Sequence, residues 1–436
     1  MPIYLSKRVH RVYGGNMNKK NIWVYADWIG LSQPTLIGTL HVIPSRGKEI
    51  FSFEYHADWL NNHATHTIDP ALQLFHGMQY PTQNQENFGV FLDSSPDRWG
   101  RFLMHRREAQ QARNENRKEK TLLASDYLLG VYDEYRMGAL RFKTEKNGPF
   151  LDNNKSIAAP PWTELRAIES ACLAIEKKDA EKKSHYQQWL NMLIAPGGSL
   201  GGARPKACVL DKSQHAWIAK FPRKTDEYDI GAWEMLIHRL AHKAKIIVPD
   251  AKITKFNSLH HTFLSKRFDR NKIKRIHFAS AMTLLHRHDG DDASTGASYL
   301  ELVEFILRMG SRVEHDLEQL WRRIVFNICV SNVDDHLRNH GFIFDPASGW
   351  FLSPAFDMNA VSDGNGLKLN ISETDNSQDL TLAKSVSNIF KISPNKADSI
   401  VHDVIASIKT WRKEAMHLRI SLHQQDLMQN AFRIIT

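Results

Sequence analysis

The sequence predicts an α+β protein of two lobes, with a small β-rich subdomain ahead of them and an all-helical C-terminal lobe. Three observations predict it. Short runs of alternating apolar residues crowd the first half of the chain. In the second half Leu317, Leu320, Trp321, Ile324, Val325, Ile328 and Cys329 recur at three- and four-residue steps, one apolar helix face about four turns long. The 436 residues exceed what one compact core usually holds.

In the first unit, Trp23, Tyr25 and Trp28 precede Gly30, an apolar stretch follows at 36–42, and Phe51, Phe53 and Tyr55 alternate with polar residues. These read as a small antiparallel sheet. Ser95-Pro96-Asp97 reads as a helix start, with Ser95 as N-cap and Pro96 in the first helical position. Residues 138–142 close the unit. Residues 145–161 are polar and rich in Pro and Asn, a linker pattern.

A helix is expected over 162–180, then a glycine-rich loop at 196–203, strands at 207–210 and 216–221, and a helix over 231–243. Further strands fall at 253–256 and 262–268. The long helix should stop at Ser331, a strand at 341–344 and a turn at 345–349 should follow, and the tail from Asn395 is helical again. The domain boundaries that follow are a flexible arm (1–21, with Met17 as an alternative start), an N-terminal subdomain (22–145), a lobe with the glycine-rich loop (146–265) and a helical lobe (266–436).

Hydrophobic residues at 42% and charged residues at 24% are ordinary for a globular protein, so disorder is not the default. The net charge of +9 attracts phosphates but does not choose among nucleotides, nucleic acids and acidic partners. The basic run from Arg98 to Lys120 reads as a solvated helix face. Cys172, Cys208 and Cys329 are too few and too scattered for a disulfide framework or a cysteine zinc site, and they fit a reducing, cytoplasmic compartment. No run of about 20 apolar residues is present, so no membrane span is expected. The start of the chain lacks an apolar signal core.

The chemistry concentrates in Asn332-Val333-Asp334-Asp335-His336-Leu337-Arg338-Asn339, followed by Phe356-Asp357-Met358-Asn359. Phosphoryl transfer needs a carboxylate to orient and deprotonate a hydroxyl, and oxygen ligands for magnesium. Asp-x-x-x-x-Asn supplies both from one loop, with Asp334 as base and Asn339 as metal ligand. Asp357, at a neighbouring strand end, completes the sparse set that magnesium accepts alongside phosphates. The same residues also fit a polar surface loop with an incidental acidic pair.

Upstream, the glycine-rich loop carries Arg204 and Lys206, and glycines let backbone N–H groups approach phosphate oxygens. It lacks the Gly-Lys-[Ser/Thr] ending of a P-loop. Lys220 lies in an apolar strand, where lysines are rare unless paired, and Glu234 on the next helix could hold it. A snorkelling edge lysine is the alternative. The acidic and His-rich run 286–292 reads as a solvated loop and His260-His261 as a turn, with no metal at either.

In order along the chain, Gly201-Gly202-Ala203-Arg204-Pro205-Lys206, Ala219-Lys220-Phe221-Pro222, Arg267-Phe268-Asp269-Arg270, Asp334-Asp335-His336-x-x-Asn339 and Leu352-Ser353-Pro354-Ala355-Phe356-Asp357 resemble the signature of HipA-type serine/threonine protein kinases. These are the toxins of HipBA toxin–antitoxin modules. Residues 88–100 and 129–142 look like that family's N-terminal domain, so the resemblance spans nearly the whole chain.

The resemblance implies a protein-kinase-like fold, ATP and Mg2+ as cofactors, and a role for each matching residue. Asp334 is the base; Asn339 and Asp357 are the magnesium ligands. His336 and Phe356 are nucleotide-binding, and Lys220 binds phosphate, supported by Glu234. Lys266, Arg267 and Phe268 border adenine, and Gly201, Gly202, Ala203, Arg204 and Lys206 face the phosphates. Ser199 stands where relatives autophosphorylate, which swings their loop out of the pocket and lowers activity.

The implied partners are a protein substrate, in relatives an aminoacyl-tRNA synthetase whose modification arrests growth, and a HipB-like helix-turn-helix antitoxin. DNA would be met only indirectly, because no helix-turn-helix is evident here. Two departures stand out: Asp335 follows the base where a smaller residue is expected, and the metal acid lies in Phe-Asp-Met rather than Asp-Phe-Gly. A small-molecule kinase, with the same Asp/Asn/Asp arrangement, is one alternative function. A non-catalytic co-repressor of a DNA-binding antitoxin is the other.

Overall fold

The computed structural model describes residues 19–82, 84–153, 162–177, 179–197 and 202–435. Most of the expected N-terminal arm therefore lies outside the described residues, and the first strand already begins at Lys20.

The N-terminal sheet holds β1 (Lys20–Ala26), β2 (Thr35–Ser45), β3 (Lys48–Tyr55) and β4 (Leu140–Lys143) in the order β3-β2-β1-β4. All pairings are antiparallel. The period-two pattern sends Ile22, Val24, Ala26, Phe51, Phe53 and Tyr55 into the core. Gly38 is required on β2: a Cβ there would meet the Glu54 carbonyl oxygen at 2.2 Å.

The next helix, α1 (Arg98–Asn114), starts two residues later than expected. Asp97 is its N-cap, and its carboxylate accepts from the Gly100 N–H at 2.7 Å. Ser95 closes the preceding helical turn instead, donating to the Phe91 carbonyl at 2.8 Å. The basic side chains of this segment are partly matched by acids: Arg106 with Glu181, Arg107 with Asp152, and Arg117 with Glu108 and Glu115.

Residues 145–153 are tied back onto the N-terminal unit, because the Leu151 and Asp152 N–H groups donate to the Phe142 and Val131 carbonyls. The helix expected over 162–180 is shorter. A 3-10 turn (Trp162–Glu164) leads into α2 (Leu165–Ile175), and a left-handed Asp179 separates that from a second turn, Ala180–Lys182. A further helix, α3 (Tyr186–Gly197), takes in Pro196 and Gly197, which the sequence reading placed in the loop. Buried Leu190 and Leu193 hold α3 in the same apolar cluster as α2 and the second sheet.

That sheet contains β5 (Lys206–Leu210), β6 (Ala216–Lys220), β7 (Ala251–Thr254) and β8 (Thr262–Lys266), ordered β5-β6-β8-β7 and antiparallel throughout. Helix α4 (Ile230–Lys243) packs beside it. Gly231 allows the approach, since a Cβ would sit 2.1 Å from the His261 carbonyl oxygen. Asp229 caps α4 and also accepts from His261 Nδ1 at 2.6 Å, so the helix start is fixed to the strand it faces.

The C-terminal lobe is built around α5 (Tyr299–Met309), α6 (Val313–Val330) and α7 (Pro394–Ile408). Leu317, Leu320, Trp321, Ile324, Val325, Phe326 and Ile328 of α6 are fully buried, each contributing about 1.5–3 kcal/mol of transfer free energy. The helix ends at Ser331, in the left-handed region at φ 50°, where the sequence reading stopped it.

The lobe is not all helical. It contains an antiparallel sheet of β9 (His277–Ser280), β10 (Gly341–Asp345) and β11 (Gly349–Leu352). All four β9 residues are buried, and the β10–β11 hairpin carries the chain from Asn339 back to Asp357.

A buried charge cluster joins the N-terminal unit to the rest. Asp269 accepts from Arg267 at 2.7 and 2.8 Å, from Arg270 at 2.9 Å and from the Gly138 N–H at 2.9 Å. Arg136, fully buried, donates to the carbonyls of Ser94, Leu128, Val131 and Leu151. Cys172, Cys208 and Cys329 are buried and unbonded to one another. Among the described residues no helix is long and apolar enough to cross a membrane.

Candidate active site

Lys220, the last residue of β6, sits between two carboxylates. Its ammonium donates to Glu234 of α4 and to Asp357 beyond β11, each at 2.5 Å. Burial opposes the charge on Lys220, but Asp357 and Glu234 outweigh it and raise its pKa. Burial also pushes the Asp357 carboxyl up; the Lys220 ammonium outweighs that and holds it below the usual carboxylate range. Glu234 goes the other way, because burial raises its pKa by more than Lys220 lowers it. Asp357 has φ 58°, a left-handed conformation that costs a residue with a Cβ about 1–3 kcal/mol.

The loop after α6 is built from side-chain to backbone bonds. Asn339 Nδ2 donates to the Asp334 carbonyl at 3.0 Å, and the His336 N–H donates to the same oxygen at 2.9 Å. The main chain of Asp334 is thereby fixed while its carboxylate is exposed. Among the described residues none bonds to Asn339 Oδ1, which remains available as a ligand oxygen.

Asn332, fully buried, bridges α6 and the segment that follows Asp357. Its Nδ2 donates to Asn327 of α6 at 3.0 Å and its Oδ1 accepts from the Asn359 N–H at 3.3 Å. The loop is thus placed beside Asp357, and His336 lies near enough for its charge to act on that carboxylate.

Asp335 anchors the loop. Buried, it accepts from Tyr299 Oη at 2.6 Å, Asn327 Nδ2 at 2.7 Å and His340 Nε2 at 2.8 Å. Burial pushes its pKa up, but His340 and these donors outweigh it and hold it down. In the sequence Asp335 stands out only as a departure from the family pattern; the signal for its role is His340 five residues on and a polar Asn327 within an apolar helix. Tyr299→Phe should destabilise the fold by about 1.5–3 kcal/mol, the range for a hydrogen bond to a charged group. Denaturant unfolding reads it, and an unchanged midpoint would contradict the anchoring role.

In the glycine-rich segment, Gly202 has φ 92° and its carbonyl accepts from Lys206 Nζ at 3.0 Å. Lys206 also reaches Asp97 at 3.0 Å, a residue of the N-terminal unit that sequence reading did not place here. Arg204 forms a two-pronged pair with Asp226, and Arg223 donates to the Ala203 carbonyl. Ser199 and Gly201 lie outside the described residues.

Phe268 packs against Phe356 with ring centroids 5.6 Å apart, and Phe278 adjoins both. Lys266 pairs with Asp250 at 3.3 Å. The Arg267 guanidinium faces the interior, bound to Asp269 and the Tyr135 carbonyl. The structure therefore brings Lys206, Lys220, Glu234, His336, Asn339 and Asp357 to one region, with the Phe268–Phe356 pair next to Asp357 in sequence. It turns the side chain of Arg267 away from them.

Among the described residues no group of three or more His, Cys, Asp or Glu is placed to hold a metal ion. Residues 286–292 engage their own loop and α5, as in His288 N–H to Asp291 and Arg287 to Glu301.

The fold, with its β-rich N-terminal unit, is similar to that of HipA-type proteins. Residues 198–412 match the family model of the HipA-like C-terminal domain. A chain of the Shewanella oneidensis MR-1 complex of HipA, HipB and operator DNA superposes with a TM-score of 0.62 at 15% identity, over 95% of each chain. That likeness extends the shared fold to nearly the whole molecule. A Haemophilus influenzae protein described as a "Putative kinase" is 27% identical over 184 residues, 38% of this chain. The match covers 53% of that relative, about half its length.

Proposed function

We propose that the chain is an ATP-dependent protein serine/threonine kinase of the HipA toxin type. One observation carries the reading: Lys220, Glu234 and Asp357 meet in a single ion cluster, and Asn332 ties the Asp334–Asn339 loop to it. The donor set suits the cofactor. One ionised carboxylate and one amide oxygen, Asp357 and Asn339, are what magnesium takes when phosphates supply its other ligands.

Bound Mg-ATP would supply the phosphoryl group and the cation that neutralises it. Asp334 accepts the proton of the acceptor hydroxyl at its exposed carboxylate, whose backbone the loop holds still. Lys220 holds phosphate oxygens, with Glu234 fixing the ammonium. Lys206 adds a second cation, and Phe268 and Phe356 offer an apolar border for the base.

The acceptor is a serine or threonine of a protein, with an aminoacyl-tRNA synthetase as the class that the family suggests, and Ser199 of the chain itself. Transfer to Ser199 would add about two negative charges to the glycine-rich loop, which repels the phosphates of the nucleotide. The partner is a HipB-like antitoxin, in line with the composition of the Shewanella complex, and DNA is reached through that partner. The site of action is the cytoplasm.

The test is incubation of the full-length protein with γ-labelled ATP and Mg2+, followed by mass spectrometry. Label should appear on Ser199 and vanish in Asp357→Ala. Expression of the wild type should arrest growth and Asp334→Ala should not. A wild-type protein that binds no Mg-ATP would end the kinase reading.

A further inference from the structure

We infer that Asp97, from the N-terminal unit, is a positioning residue of the nucleotide site that holds the Lys206 ammonium in place for the phosphates of ATP. This rests on the kinase reading and adds to it a residue outside the two lobes.

The pair is enclosed. Lys206 Nζ lies 3.0 Å from Asp97 Oδ2, with side-chain exposures of 2% and 5%. The other carboxylate oxygen of Asp97 accepts from the Gly100 N–H as the cap of α1, so both oxygens are fixed. The backbone around Lys206 is held from the same helix. Trp99 Nε1 donates to the Lys206 carbonyl at 3.1 Å, and the Trp99 N–H donates to the Gly202 carbonyl at 3.4 Å. The Gly202 carbonyl also accepts from Lys206 Nζ, so one turn of α1 grips both ends of the segment 202–206.

Electrostatics gives the arrangement its purpose. Lys206 and Lys220 lie near enough to repel, and Asp357 acts on both. Among the described residues Lys220 has two carboxylates in contact and Lys206 has one, Asp97. Burial is the largest effect on Lys206 and lowers its pKa, Lys220 lowers it further, and Asp97 is the main opposing charge. A buried ammonium that loses the carboxylate bonded to it neutralises or moves, and a neutral amine does not attract phosphate. Asp97 lies 109 residues before Lys206, so no lobe-level motif contains it.

Calorimetric titration of the full-length protein with Mg-ATP and with adenosine tests this. Asp97→Asn keeps a capping oxygen and the side-chain shape and removes only the charge. It should weaken Mg-ATP about tenfold or more while adenosine, which has no phosphates, stays within about twofold. In a Lys206→Gln background Asp97→Asn should add no further loss, because coupled residues do not act additively.

Equal Mg-ATP affinity in wild type and Asp97→Asn overturns the inference, as does a parallel loss of both ligands, which marks a structural role. Lys206→Gln gives a reading that does not depend on how Asp97→Asn folds. If it binds Mg-ATP like wild type, Asp97 has nothing to position. A wild type that binds neither ligand is a different result: it removes the kinase reading, and this inference with it.

Discussion

Asp334→Asn should lower phosphate transfer by about a thousandfold and leave Mg-ATP affinity within about twofold of wild type. The residue's contribution to the fold is made by its carbonyl, which accepts from Asn339 Nδ2 and the His336 N–H. Its carboxylate is exposed and, among the described residues, makes no hydrogen bond. The substitution therefore removes a proton acceptor without opening a hole or stranding a donor. Single-turnover labelling measures the transfer step, and calorimetry measures the affinity. Unchanged labelling would remove Asp334 as base. A matching loss of Mg-ATP affinity would place it on the nucleotide rather than on the acceptor.

The largest expected effect on stability is at Asp269. Its side chain is 1% exposed and holds Arg267, Arg270 and the Gly138 N–H together. Asp269→Ala leaves two buried guanidinium groups without their carboxylate and should cost about 3–5 kcal/mol.

The same residue sets an acid dependence. Burial pushes its pKa up, but Arg267 and Arg270 outweigh that and hold it at about 2, against 3.8 ordinarily. A depressed folded-state value means that the stabilisation is complete above the ordinary value and is lost as pH falls from there toward 2. The amount is on the order of 2 kcal/mol. Urea unfolding of both proteins at pH 7 and over that acid window reads it. The gap between wild type and variant should narrow as pH falls. An equal midpoint at pH 7 would refute the account.

Much of this was legible in the residues. Period-two alternation marked β3, an apolar stretch marked β2, and the three-and-four period marked α6 together with its stop at Ser331. A lysine in an apolar strand announced the need for a carboxylate, and Glu234 on the next helix is one of the two that bond it.

Other elements were hidden for physical reasons. Helix α3 has Gln and Asn near its start and Pro-Gly at its end, so local propensity argues for a loop; buried Leu190 and Leu193 override it. Ser95 and Asp97 are both competent caps, and only the hydroxyl's bond to Phe91 shows which one is free for α1. Arg267 lies within a run that resembles the family signature, yet burial beside Asp269 turns its guanidinium inward.

The order of residues was enough to suggest the proposed chemistry, since an acid and an amide five positions apart on one loop are a local pattern that survives without knowledge of the fold. Which charge faces which was decided only by tertiary packing. Lys220 meets Asp357 across 137 residues, and Lys206 meets Asp97 across 109. An ammonium taken out of water needs a carboxylate beside it, and the partner is whichever one the packed chain delivers to that spot.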